Sequence, residues 1–125
     1  MQLSRDPLRG HLVENLVILE LMKWRFNHGL DHQLYYYRDV QKNEVDVIFK
    51  EGHNLIPIEI KSSKTYNSAF LKGLLFFQKM VKDRALKAYL IYTGEQEQAI
   101  QTVELLNYKK SITAISPKII SSKKD

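Results

Sequence analysis

Four charged side chains sit where their sequence neighbours are apolar. Asp46 lies between Val45 and Val47, Glu59 between Ile58 and Ile60, and Lys61 follows Glu59 by two positions. Residues two apart on a strand leave the same face, so Glu59 and Lys61 project together. An adjacent strand of a meander can bring Asp46 to that face as well. Two carboxylates and one ammonium would then converge on rigid strands. Carboxylate oxygens are hard ligands that suit Mg2+ or Mn2+ better than zinc. Glu14 is a candidate fourth member. Val17, Ile18 and Leu21 lie on its side of a helical segment, and a carboxylate on an apolar face needs a metal or a cationic partner. A plainer account competes for each residue alone. Strands carry charges on their solvent face, and edge strands use them against aggregation; Glu14 would equally suit a buried structural ion pair.

The elements that must position these groups follow from periodicity. Residues 8–27 are helical: Leu8, Leu12, Leu16 and Leu19 recur at three and four positions, and Gly29 supplies a stop. Val13, Val17, Ile18 and Leu21 make a second face apolar, the pattern of a helix buried between layers. The period then changes to that of strands. Residues 34–39 are aromatic and extended. Residues 44–50 alternate, with Val45, Val47 and Phe49 expected on one face and Glu44, Asp46 and Ile48 on the other. After a turn at residues 51–54, Ile56, Ile58 and Ile60 alternate with Pro57, Glu59 and Lys61. These three strands form an antiparallel meander. Asn67 or Ser68 caps a second helix reaching about Lys82, with Phe70, Leu74, Phe77 and Val81 as its core stripe. Residues 87–92 form a fourth strand, parallel to residues 55–61 through the helical crossover. A short fifth strand is expected within residues 100–108, and residues 116–125 read as a flexible basic tail. The fold class is α/β: helix, three-strand meander, helix, strand, with a mixed central sheet flanked by helices.

The chain has 125 residues, which suits a single domain spanning residues 1–125 with its core at about 8–108. It has no cysteine, which excludes disulfides, thiolate nucleophiles and Cys-ligated zinc. No targeting segment or membrane span is apparent, and a cytoplasmic protein is expected. The net charge of +5 is unevenly spread: residues 61–87 hold seven Lys and Arg against one acid, whereas residues 1–60 hold seven against nine. A polyanionic partner would be met from Lys61 onward.

The motif Asp46, twelve intervening residues, then Glu59-Ile60-Lys61 resembles that of the PD-(D/E)XK nucleases, the restriction-endonuclease-like superfamily. The element order matches that core. The segments at residues 8–15, Tyr37-Arg38-Asp39, Asn43-Glu44-Val45-Asp46 and Ile58-Glu59-Ile60-Lys61-Ser62-Ser63 are similar to the C-terminal domain of a group of prokaryotic AAA-type ATPases, a domain with no established activity. Val45, not the motif's proline, precedes Asp46, a proline often absent in the superfamily. No Gly-rich loop ending in GK[ST] is present, so this sequence cannot hydrolyse ATP by that route.

The resemblance implies a Mg2+- or Mn2+-dependent deoxyribonuclease. Asp46, Glu59, the Ile60 carbonyl and Glu14 would be the metal ligands, and Lys61 would hold the attacking water or stabilise the charge developing on phosphorus. Ser62, Ser63, Lys64, Lys72 and Lys79 are candidate DNA contacts, together with Gln78, since some nuclease branches use a helix Gln near the site. Tyr35, Tyr36 and Tyr37 offer faces for base stacking, although aromatic strands more often pack in cores; Trp24 and the Phe residues read as core. The expected partners are DNA, a second copy in a homodimer, and an ATPase module. The competing expectation is a non-catalytic docking domain, detached from or associated with an AAA-type ATPase.

Overall fold

The computed structural model describes residues 7–30, 34–111 and 115, with side chains from residue 12 onward. Helix α1 spans Pro7–Asn27. Pro7 is well placed as its first residue, where the missing N–H is not needed. It ends before Gly29, whose φ of +67° is left-handed and open to glycine at little cost. The meander follows as β1 (Tyr35–Arg38), β2 (Glu44–Glu51) and β3 (Asn54–Lys61). A 3-10 turn, Ser68–Leu71, leads into α2 (Lys72–Val81), and a second, Lys82–Arg84, closes it. The remaining strands are β4 (Ala88–Tyr92), β5 (Gln98–Ile100) and β6 (Val103–Asn107).

Among the described residues these strands form one mixed sheet in the order β1-β2-β3-β4-β6-β5. β1–β2–β3 pair antiparallel, whereas β3–β4 and β4–β6 pair parallel. Each face of the sheet carries its own apolar cluster. On one face Val17 and Leu21 of α1 meet Val47, Phe49, Ile56, Ile58, Ile60 and Ile91. On the other, Leu71, Leu74 and Phe77 meet Val45, Ile48, Leu90 and Leu105. The chain is thus an α/β sandwich of helix, sheet and helix.

Several sequence expectations are corrected. α1 is not buried on all sides: Leu12, Leu16, Leu19 and Phe26 are exposed, so Phe26 is not core. A helix lying on a sheet buries the stripe that faces it, here the face of Val17 and Leu21, and the Leu12, Leu16 and Leu19 face is left outward. Val45 does not share a face with Val47 and Phe49. The β1–β2 register slips between Tyr35 and Tyr37, giving β2 one extra residue at a bulge around Asp46. A bulge flips the alternation that follows it, so Val45 and Ile48 turn toward α2 while Val47 and Phe49 turn toward α1. The expected fifth strand is β6, and β5 before it was not anticipated because Gln98 and Ala99 carry no strand-favouring side chain. The second helix starts as a 3-10 turn; Asn67 caps it as expected, its Oδ1 accepting the Ala69 N–H at 2.8 Å. The 116–125 tail lies outside the described residues.

Candidate functional site

The regular pairing of β2 with β3 ends at Val47 and Ile58. The next two residues are Asp46 and Glu59, and their side chains take over the ladder. The Asp46 N–H donates to Glu59 Oε1 at 3.0 Å, and the Ile60 N–H donates to Asp46 Oδ2 at 2.9 Å. The bulge parts the strands here, and the two carboxylates span the opening. Each is locked by a backbone N–H of the opposite strand, a preorganised arrangement that needs little movement to act.

Lys61 completes the group. Its Nζ lies 3.3 Å from Glu59 Oε2 and 5.6 Å from the centre of the Phe70 ring. Lys61 is half-exposed whereas Glu59 is buried. The cation therefore stands between the carboxylates and solvent. Phe70, which supports it, is a residue the sequence marked only as core.

This electrostatic arrangement is unfavourable for two charged acids. Burial above all, then the neighbouring Asp46 charge and a hydrogen bond with it, push the Glu59 carboxyl up to about 8. Lys61 and the Asp46 N–H pull in the opposite direction without cancelling the rise. Like charges this close cannot both ionise freely, so the pair holds a proton near neutrality. A divalent cation would relieve the same repulsion. The donor set, two hard carboxylates on rigid strands, fits Mg2+ or Mn2+.

The sheet places the group at the carboxyl end of its parallel strands. Lys61 aligns with Tyr92 of β4, and Tyr92 with Asn107 of β6. In open α/β sheets the crevice beyond these ends is where ligands bind. Two glycines close the fold around it. A Cβ on Gly73 would strike the Glu44 backbone, so glycine lets the first turn of α2 rest on the start of β2. A Cβ on Gly94 would strike the Lys64 carbonyl, so the loops after β3 and β4 also meet closely.

A second polar network fixes the start of β2. Asp39 Oδ1 accepts the N–H groups of Gln41 and Asn43, each at 2.9 Å, and Oδ2 accepts from Asn43 Nδ2 at 3.1 Å and the Tyr37 hydroxyl at 3.0 Å. The Asn43 N–H foremost holds the Asp39 carboxyl below the usual range. The Tyr37-Arg38-Asp39 and Asn43 segments noted in the sequence are therefore one turn, and it delivers Asp46 to the opening.

The other sequence candidates are placed less centrally. Glu14 is half-buried on α1, against the opposite face of the sheet from α2. Among the described residues no three His, Cys, Asp or Glu side chains are gathered to hold a metal. The Ile60 side chain is core, and its N–H is the group that holds Asp46. Ser62 and Lys64 are exposed beside Lys61. Ser63 is bound into its loop, its Oγ donating to Thr65 O at 2.9 Å. Lys72 is exposed on the first turn of α2, at the site's end of the helix, and Lys79 is about 10 Å further along the axis at 1.5 Å per residue.

Gln78 is engaged elsewhere: its Nε2 donates to Ala85 O at 3.1 Å and its Oε1 accepts from Thr102 Oγ1 at 2.8 Å. Both partners belong to the far end of β4 and β6, away from Lys61. Tyr37 packs against Phe76 and Phe77, with ring centres 6.1 and 5.8 Å away, while Tyr35 and Tyr36 are exposed.

Among the described residues no helix is long and apolar enough to cross a membrane. No curated protein matches the chain. The sequence profile of one family, described as a domain of unknown function, matches residues 9–111, which include the whole of the Asp46–Glu59–Lys61 group and every strand around it. The chain belongs to this family, DUF4143.

Proposed function

We propose that the domain is a metal-dependent deoxyribonuclease of the PD-(D/E)XK type, acting in the cytoplasm on DNA phosphodiesters. One observation carries this reading. Asp46 and Glu59 meet across the strand opening, with Lys61 beside them at 3.3 Å from Glu59. A purely structural role gives no reason to bury Glu59 against a second, half-buried acid, since that burial is costly unless something neutralises it.

Asp46, Glu59 and the Ile60 carbonyl would hold Mg2+ or Mn2+. When bound, that ion supplies Lewis acidity and a lowered pKa for coordinated water. The chain's own residues do the rest. The Asp46 and Ile60 N–H groups fix the two carboxylates in place. Lys61 offers its ammonium to the attacking water or to the charge developing on phosphorus. Lys64 and Lys72 lie at the same end of the sheet and would follow the DNA backbone, a contact weakened by salt.

The test is nicking of supercoiled plasmid and cleavage of branched DNA with Mg2+ or Mn2+. Asp46→Ala and Lys61→Ala should each lose at least about 100-fold in rate, the scale for removing one group that stabilises the transition state. Wild type that cuts no faster than both variants sinks the enzyme reading. Calorimetric Mn2+ binding separates the competing docking domain: binding that disappears in Asp46→Ala supports the metal site, and binding that ignores Asp46 and Glu59 opposes it.

A further inference from the structure

Asn107 ends β6 in register with Tyr92 and, through it, with Lys61. It is 8% exposed, and both ends of its side chain are used. Nδ2 donates to Gly94 O at 2.6 Å, and Oδ1 accepts the Lys109 N–H at 2.9 Å. A carbonyl on one side and an N–H on the other allow only this orientation of the amide. The backbone is engaged as well: its N–H donates to Glu97 Oε2 at 3.0 Å, and its carbonyl accepts the Lys110 N–H at 3.0 Å. One residue thus ties the loop after β4, residues 93–97, to the turn after β6.

That loop is what the segment following Lys61 rests on. Residues 62–64 lie outside any strand or helix. The Ser63 N–H donates to Lys61 O at 2.9 Å, and Ser63 O accepts the Thr93 N–H at 3.0 Å. Gly94 comes so near the Lys64 carbonyl that a side chain there would strike it. The Tyr92 hydroxyl braces the same loop, donating to Gln96 O at 2.7 Å.

We infer that Asn107 is a positioning residue of the site. By clamping the loop after β4 it sets residues 62–64, and with them Lys64, for contact with the phosphate backbone of DNA. The inference rests on the deoxyribonuclease reading. Lys64 is exposed, and a lysine meets phosphate as a point charge without the fixed fork of an arginine. The backbone that carries it must therefore supply the geometry, and prior ordering of that backbone spares part of the cost of binding. The four partners of Asn107 belong to the two loops, and none is Asp46, Glu59 or Lys61. Its effect accordingly falls on substrate binding and not on the chemical step.

The experiment combines plasmid nicking kinetics in Mn2+ with fluorescence anisotropy of a labelled DNA duplex in EDTA over a salt series. Lys64→Ala should raise KM and the duplex Kd about fivefold, keep kcat within about twofold, and lower the salt slope by about one. Asn107→Ala should move the same three quantities in the same way although Lys64 is still present. The double variant should bind no worse than Lys64→Ala alone, because Asn107 acts through Lys64. Gly94→Ala, which pushes on the same loop from its other side, should reproduce the rise in KM, so the test does not hang on one variant. Loss of folded protein lowers the apparent kcat and leaves KM alone. Asn107→Ala and Gly94→Ala proteins with wild-type KM and salt slope therefore make Asn107 a staple for stability only and overturn the inference. Additive losses in the double variant overturn it too. Wild type that neither cuts nor binds DNA removes the nuclease reading and this inference with it. Wild type that does both, with a KM indifferent to Asn107, removes this inference alone.

Discussion

The β2–β3 hairpin buries an acid at each end, and the two ends neutralise it in opposite ways. At the closed end, beside the Gly52 turn, Glu51 Oε1 accepts from Arg25 Nη2 at 2.6 Å, with side-chain exposures of 7% and 1%. The guanidinium also lies 4.6 Å from the Phe49 ring centre. At the open end Glu59 faces a second carboxylate, and its cation Lys61 is half in solvent. The strands, the solvent exclusion and the residue type are shared. What differs is the neighbour. A buried carboxylate with a buried arginine holds α1 to the sheet. A buried carboxylate beside another one stores repulsion that a proton or a cation must relieve. Burial of an acid is therefore no functional mark by itself; the marker is a buried acid held against a second carboxylate while its cation stands half in solvent.

The largest expected effect breaks the closed end. Glu51→Gln keeps the shape but leaves the buried guanidinium without that counter-ion. It should cost about 3–5 kcal/mol, a large share of the roughly 5–15 kcal/mol that holds a domain together. The double change Arg25→Met with Glu51→Leu should recover most of that loss, because an apolar pair carries no desolvation penalty. Urea denaturation at pH 7 measures both. A Glu51→Gln protein as stable as wild type would remove the basis for the contrast.

The next effect has the opposite sign and sits at the open end. Folding lifts Glu59 from its ordinary 4.5 to about 8. Between those values the folded chain holds a proton that the unfolded chain has released. Its contribution to stability is thus complete below about 4.5 and is lost as pH rises toward and through 8. Asp46→Asn removes the neighbouring charge and lets Glu59 fall back toward its ordinary value. In EDTA at pH 8 that variant should be more stable than wild type, by about 1–3 kcal/mol, since a tenfold change in proton affinity is worth roughly 1.4 kcal/mol. Its stability should also depend less on pH between 5 and 8. The same variant should lose DNA cleavage. A change that stabilises the fold and removes activity is the expected signature of a site built at the fold's expense. Urea midpoints across that pH range check it, and an Asp46→Asn protein that is less stable at pH 8 contradicts it.

How much of this the sequence showed depends on the residue. The α/β class, the meander and the parallel crossover were all legible, because alternating isoleucines and a capped, striped helix report local period directly. Glu59 and Lys61 on one face were legible for the same reason. Asp46 was half legible: its apolar neighbours flagged it, but the bulge that turns it into the opening depends on register with β1, which no local pattern encodes. The partner of Glu51 was not legible at all. Arg25 lies 26 positions away on a helix, and only packing brings it over Phe49. Glu14 was only partly legible, because an acid among helical apolar residues has the same local pattern whether it joins a site or only borders the core; the structure places it half-buried on α1. β5 was missed because an edge strand can be polar, its pairing supplied by β6 alone.

The smallest effect separates the two cations. Arg25 is buried and Lys61 is not, so their removal should cost very different amounts. Lys61→Gln should change stability by no more than about 1 kcal/mol, the range of ion pairs open to solvent. That change should also depend on pH in a stated direction. Lys61 is a group that pulls Glu59 down, so removing it moves the Glu59 titration further up. At pH 6 Glu59 is protonated with or without the lysine, and the variant should match wild type. Above pH 8, where wild-type Glu59 ionises, the variant loses the cation that offsets that charge, and the deficit should emerge there. Paired urea titrations at pH 6 and pH 9, beside nicking assays at pH 8, read stability and activity from the same preparation. Lys61→Gln should be nearly silent in the first at pH 6 and severe in the second. If it instead destabilises the fold at pH 6 as much as Glu51→Gln does, Lys61 is a structural counter-ion, and the two ends of the hairpin are alike after all.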